Sequence, residues 1–78
     1  MTRHYRQHAA GSAFERNASR LRLELSMGTP RRHLDVLVEL LRVLVEDTGG
    51  TQLTARYRTE LAELEQAVAT RSNLRVVR

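Results

Sequence analysis

Residues Leu34–Val45 have the sequence LDVLVELLRVLV, and this stretch decides the fold. Nine of its twelve residues are apolar, and four of these are valines, which by propensity alone would favour a β-strand. The polar residues favour a helix instead, because spacings of four, three and four place them in one narrow helical stripe. They are Asp35, Glu39 and Arg42 within the stretch and Glu46 directly after it. A helix with so little polar surface is predicted to lie at the centre of the fold, covered on several sides.

Size and composition limit what else the chain contains. Its 78 residues suffice for one small domain, and the absence of cysteine excludes disulfides and thiolate metal sites. No apolar run approaches the roughly 20 residues of a membrane span. The N-terminal sequence lacks the apolar centre of a secretion signal. We therefore expect a cytoplasmic protein, located in the host cell if it is viral, with no membrane partner.

The charges are unevenly distributed along the chain. All 13 basic residues are arginines, a bias that a GC-rich coding genome would also produce. Residues 1–32 carry seven arginines and two acids, residues 33–70 three arginines and seven acids, and residues 71–78 three arginines and no acid. Basic ends on either side of an acidic middle suggest segments that reach an anionic partner while the middle packs or self-associates.

Helix signals divide the chain into three helices, and the sequence predicts an all-α fold. The helices are expected at about 12–27, 30–47 and 52–70, with a flexible basic arm at 1–11 and a basic tail at 71–78. A capping box at Ser12 and Glu15 begins the first helix, and Gly28 ends it. Thr29 caps the second helix, and Gly49 and Gly50 end it.

Short loops favour an antiparallel hairpin of the second and third helices, with the first helix folded against it. The predicted core stripes are Phe14, Ala18, Leu21 and Leu25 on the first helix and Leu53, Tyr57, Leu61, Leu64 and Val68 on the third.

The second helix predicts that the chain is a homo-oligomer, so that residues 12–70 form an oligomerisation domain. Its apolar residues span nearly the whole circumference, whereas two neighbours from the same chain each cover about a third of a helix. Another copy is expected to cover the remainder. The predicted interface residues are Leu23, Met27, Val36, Leu40, Val43 and Leu44. A monomer with an exposed apolar patch is the simpler alternative.

No motif in the chain indicates catalysis. There is no cysteine nucleophile, no glycine-rich phosphate loop and no His-Glu-x-x-His sequence. His4, His8 and His33 are better interpreted as solvated histidines than as metal ligands. We expect no enzyme activity, no cofactor and no metal.

The ends of the second helix have the wrong charges for its dipole. Arg31 and Arg32 lie in the first turn, where acids are preferred, and Glu46 and Asp47 lie in the last turn, where bases are preferred. Compensating salt bridges are one explanation. The alternative is an anion site at the helix start that extends into a basic, DNA-binding surface. Its predicted residues are Arg3, Arg6, Arg16, Arg20, Arg22, Arg31 and Arg32.

Residues 34–65 resemble the short helical-hairpin small terminase subunits of phages that infect actinobacteria. The similar features are the helix LDVLVELLRVLVED, the turn TGGT and the segment QLTARYRTELAELE with its Tyr57-Arg58 and Glu63-Leu64 pairs. The resemblance implies a multimeric DNA-recognition subunit that presents viral DNA to a large ATPase/nuclease packaging subunit and has no catalysis of its own. A separate helix-turn-helix domain is not evident, because the candidate recognition helix is too apolar to lie in a DNA groove.

Two hypotheses about function follow. The first is an oligomeric DNA-binding packaging subunit, with DNA and its own copies as partners. The second is a small helical adaptor or regulator that binds another protein through its apolar helices. A secreted helical-hairpin effector is more remote, because the chain contains no tryptophan for the Trp-x-Gly turn of that class.

Overall fold

The chain forms helices throughout the part that the structure describes, and the all-α prediction is confirmed. The helices are α1 (Thr2–Met27), α2 (Arg31–Asp47) and α3 (Gln52–Val77). All three contact one another. This computed structural model describes the backbone of residues 2–50 and 52–77 and the side chains of residues 9–50 and 52–71. The predicted cap at Thr51 lies outside the described residues.

The core consists of one buried stripe from each helix, as the apolar spacings predicted. Leu41 of α2 and Leu21 of α1 are completely buried, and the ring of Phe14 stacks on that of Tyr57 with 4.4 Å between the centroids. The other members of this core are Ala18, Leu34, Val38, Val45, Leu61, Leu64 and Val68, with Leu25, Leu37 and Leu44 packed against it. Leu53, predicted to be in the core, is an exception, since about half of its surface is exposed.

α1 begins ten residues earlier than predicted, so residues 2–11 belong to the helix and the capping box at Ser12 is wrong. Gly11 explains the difference. The sequence pattern indicated a break there, but a Cβ at Gly11 would lie only 3.3 Å from the hydroxyl oxygen of Tyr57. The glycine thus lets the tyrosine ring pack closely against α1. Glu15, the expected capping partner of Ser12, instead accepts a hydrogen bond of 2.7 Å from the Tyr57 hydroxyl.

The turn between α1 and α2 has Gly28 at the end of α1, as predicted, but Thr29 does not cap α2 as predicted. Gly28 has a φ of +80°, the left-handed conformation expected after a helix end. The backbone N–H of Thr29 donates to the carbonyl of Glu24 at 3.2 Å, and its hydroxyl donates to the Glu24 side chain. Because Thr29 thereby closes α1, Pro30 takes the N-cap position and α2 begins at Arg31.

The turn between α2 and α3 is held by two buried threonines. Gly49 and Gly50 follow the end of α2, as predicted, and both have positive φ values. Thr48 and Thr54 share a hydrogen bond between their hydroxyls, and the Thr54 oxygen also accepts the backbone N–H of Gly50 at 3.0 Å. Both threonines are buried. The sequence pattern did not indicate this pair.

We expect Thr54→Val to lower the free energy of unfolding by about 1–2 kcal/mol, because valine keeps the shape but leaves the Gly50 N–H without this acceptor. Urea unfolding followed by circular dichroism measures the change. Thr59→Val is the matched control, since Thr59 is exposed on the same helix and its hydroxyl donates to the carbonyl of Ala55 within that helix. Equal stabilities of the two variants would contradict this role for Thr54.

α3 continues to Val77, past the end predicted near residue 70, so the tail predicted at 71–78 is largely helical. The half-buried guanidinium of Arg71 donates to the carbonyl of Thr29 and so connects α3 to the turn between α1 and α2. Arg71 is therefore held by the fold. It was expected to belong to a tail free to contact an anionic partner.

Candidate self-association and nucleic-acid surfaces

The outer side of α2 is an apolar surface that no other helix in the described part of the chain covers. Val36 is 67% exposed, Val43 is 58% exposed and Leu40 is 40% exposed. At about 100° per residue these three lie on the side of α2 opposite its buried stripe. Leu44 lies between the two sides and is partly buried against the core. Of the predicted interface residues on α2, Leu44 therefore contributes least exposed surface.

The outer side of α1 also carries exposed apolar side chains. Leu23 is 58% exposed and Met27 is 67% exposed, although Leu21 on the same helix is completely buried. Arg20, Glu24 and Met27 follow one another on one side of α1 at spacings of four and three. A groove beside this side, between α1 and α2, is lined by Arg20, Glu24, Thr29, His33, Val36 and Leu37. The apolar surface of α2 thus borders, at Val36, a groove with polar and apolar walls.

Three of the predicted DNA-binding arginines have carboxylate partners within the chain. Arg20 lies 3.7 Å from Glu24, and Arg31 lies 3.1 Å from Asp35. Arg22 of α1 pairs with Glu60 of α3. All three arginine side chains are at least half exposed, so each pair contributes little to stability. The carboxylate partners nevertheless neutralise part of the positive charge of these three arginines.

Arg16 and Arg32 differ from these three. Both are exposed, and neither has an ion-pair partner among the described residues. Each lies on the outer side of its helix, because Arg16 is seven residues before Leu23 and Arg32 is four residues before Val36. The side chains of Arg3 and Arg6 lie outside the described residues. The described part of the predicted basic surface therefore reduces to two unpaired arginines beside the exposed apolar residues.

The charges at the ends of α2 are compensated on one side of the helix only. Arg31 pairs with Asp35, and Glu46 accepts hydrogen bonds from Arg58 of α3. Salt bridges therefore explain two of the four charges that oppose the helix dipole. Arg32 and Asp47 are exposed and have no ion-pair partner among the described residues.

The acidic residues of α3 serve mainly to join the helices. Glu65 accepts from Arg42 of α2, whose guanidinium also contacts Glu39. The hydrogen bond to Glu65, followed by the charge of Glu39, raises the pKa of Arg42. Glu60 similarly holds Arg22. Sequence spacing could not identify the pairs between helices, because each joins side chains at least 12 residues apart that meet only in the folded chain.

Tyr57 is the one described residue whose proton equilibrium is changed strongly by the fold. Only 4% of its surface is exposed. Burial, with a smaller effect of the hydrogen bond to Glu15, raises the pKa of Tyr57 to about 12. Burial disfavours the charged phenolate, and the nearby carboxylate disfavours it further. This tyrosine is inside the bundle, so its role is structural.

The described residues contain no group of three histidine, aspartate or glutamate side chains arranged to hold a metal ion. His33 is exposed at the start of α2. Within the same described part, no helix is long and apolar enough to cross a membrane. Comparisons of the chain with protein-family models, with curated proteins and with solved structures gave no match.

Proposed function

We propose that the chain is a non-catalytic, oligomeric DNA-binding subunit that recognises viral DNA for packaging and presents it to a motor/nuclease subunit. The observation that carries this proposal is the position of Arg16 and Arg32 beside the exposed apolar residues of α1 and α2. Association through the apolar surface would bring these cations from several copies close together. Clustered guanidinium groups are what a phosphate backbone binds most strongly.

The unit of assembly in this proposal is the antiparallel hairpin of α2 and α3. Ion pairs support the reversal of direction, because Glu46 lies beside Arg58 whereas the earlier Arg42 lies beside the later Glu65. Burying each exposed leucine or valine at a subunit contact would contribute up to about 1.5–3 kcal/mol. The same hairpin, residues 34–65, resembles the small terminase subunits, and that resemblance is the reason for choosing DNA packaging. The partners are then DNA, other copies of the chain and a large ATPase/nuclease, in the cytoplasm of an infected host cell.

Binding of duplex DNA at increasing salt tests this function. Fluorescence anisotropy of a labelled duplex should give an affinity that falls steeply between about 50 and 200 mM salt, because released counterions drive the binding. We expect Arg16→Ala/Arg32→Ala to weaken binding about tenfold or more and to reduce the slope of log K against log salt by about 2.

The control is Arg56→Ala/Arg58→Ala, which removes the same number of arginines from exposed positions on α3, where Arg58 is paired with Glu46. The control variant should bind the duplex more tightly than Arg16→Ala/Arg32→Ala does. Equal losses would show that only net charge matters, and no binding at low salt would overturn the DNA proposal.

A specific observation favours the adaptor as the second candidate. Five large apolar side chains of α1 and α2 are exposed, while three of the five described candidate arginines are paired within the chain. An apolar surface with few free charges suits a protein partner better than a phosphate backbone. The absence of DNA binding in the experiment above, together with a monomeric chain, would support this alternative.

A further inference from the structure

The two unpaired charges of α2 mark the ends of its exposed apolar surface. Arg32 in the first turn and Asp47 in the last turn both oppose the helix dipole. Their neighbours Arg31 and Glu46 are compensated by Asp35 and Arg58, but Arg32 and Asp47 are exposed without ion-pair partners among the described residues. Charges that disfavour the helix and lack internal compensation suggest a partner that supplies it.

The residues on this surface have an order in which the base and the acid exchange places when the helix is read in the opposite direction. Arg32, Val36, Leu40, Val43 and Asp47 follow at spacings of four, four, three and four, which keeps them on one side of the helix. The three apolar members are the exposed large hydrophobic residues of α2. When the helix is read from Asp47 back to Arg32, the acid and the base exchange places, the two valines exchange places, and the leucine remains near the middle.

We propose that two copies of the chain pack α2 against α2 in antiparallel orientation about a two-fold axis near Leu40. In this arrangement Val36 lies opposite the partner's Val43, and Arg32 lies opposite the partner's Asp47. Each of these contacts occurs twice because a two-fold interface is self-complementary, so the dimer has two charge contacts. The inference rests on the self-association included in the proposed function. It makes Arg32 a contact between the two copies, so Arg16 is the described candidate arginine that stays unpaired for phosphate in the dimer.

Electrostatics select a second copy in this orientation. A parallel arrangement would place Arg32 against the same arginine of the other copy, and likewise Asp47 against its own copy, which is repulsive at both ends. The antiparallel arrangement makes both contacts attractive and also aligns the two helix dipoles favourably. It gives a role to the two charges that the fold of the single chain leaves uncompensated.

Charge reversal with mixing of variants tests the arrangement. Arg32→Asp and Asp47→Arg each convert both charge contacts of a homodimer from attractive to repulsive. Sedimentation equilibrium should show the dimer dissociation constant rising about tenfold or more for each variant alone. An equimolar mixture of the two should form a heterodimer close to wild-type affinity, because both charge contacts would then join an acid of one variant to an arginine of the other.

The double variant Arg32→Asp/Asp47→Arg keeps the test decisive if one single variant folds poorly. It should recover a homodimer, since both contacts are attractive again with reversed sign. Arg56→Asp is the matched control, because it makes the same charge change at an exposed position beside the groove between α1 and α3. It should leave the dissociation constant within about twofold of wild type.

Three outcomes would overturn the inference: a wild-type chain that is strictly monomeric at micromolar concentration, a larger ring, or single variants that do not recover on mixing or in the double variant. A DNA titration of the same samples separates the two proposals. Dimers that recover without binding DNA would retain the α2 interface and remove the packaging function. DNA binding by a ring would do the reverse.

Discussion

Leu41→Ala should lower the free energy of unfolding by about 2–5 kcal/mol, the range for removing a buried leucine side chain. Leu41 has no exposed surface and lies in the middle of the α2 stripe that faces the core. The core of a 78-residue chain is small, so a loss of this size is a large fraction of its stability. Urea unfolding monitored by circular dichroism at low protein concentration, where association contributes least, measures it.

The adjacent residue provides a matched control. Leu40→Ala makes the same chemical change one position earlier on the same helix, but Leu40 is 40% exposed on the outer side. We expect a loss below about 1 kcal/mol for the single chain, together with weaker self-association in sedimentation equilibrium. If Leu40→Ala destabilised the single chain as much as Leu41→Ala, the division of α2 into a core side and an outer side would be wrong.

The difference between these two leucines marks what the sequence could and could not predict. The period of the apolar residues identified the helices and nearly all of the core stripes, because burial follows the spacing directly. It also predicted that Val36, Leu40 and Val43 lie on the outer side of α2, but it could not tell on which side Leu44, named with them, would lie. That choice depends on where α1 and α3 pack. Leu53 shows the same limit, since it shares the spacing of the α3 core stripe but is about half exposed, whereas the adjacent Thr54 is buried.

Helix ends were less predictable because they depend on contacts distant in sequence. Gly11 has the local signature of a break, but α1 continues through it, and the ring of Tyr57 leaves little space there for a larger residue. Similarly, Thr29 has the signature of an N-cap, but its hydroxyl is bonded to Glu24 of the preceding helix. Local preference is outweighed in each case by a contact that only the folded chain provides.

The sequence could predict which arginines are candidates for binding, but it could not predict which of them remain unpaired in the folded chain. Arginines in residues 1–32 indicated a basic surface, yet whether each one is free depends on acids placed by the fold. Glu60 of α3 reaches Arg22, whereas Arg16 and Arg32 have no such partner in the part of the chain that is described. The structure thereby reduces the candidates whose side chains it describes to a pair that can be tested.

The stability of the fold should decrease between pH 10 and pH 12 because of Tyr57. Its pKa is about 12 in the folded chain and about 10 in an unfolded one. Between these values the unfolded chain has lost the phenolic proton while the folded chain retains it, so rising pH favours unfolding. The contribution is fully present below about pH 10 and is lost by about pH 12. Two pKa units correspond to at most about 2–3 kcal/mol.

Tyr57→Phe isolates this effect. The variant should lose about 1 kcal/mol at neutral pH, because the hydrogen bond to Glu15 is removed, and should be less sensitive than wild type to pH above 10. Urea unfolding of both proteins at pH 8, 10 and 11.5 provides the comparison, in which the titration of other groups is common to both. In a Tyr5→Phe background the absorbance of tyrosinate reports Tyr57 alone, since the chain has only two tyrosines. A midpoint near pH 10 in the folded protein would mean that the phenol is accessible to water, and the stacked, buried position of its ring against Phe14 would then be incorrect.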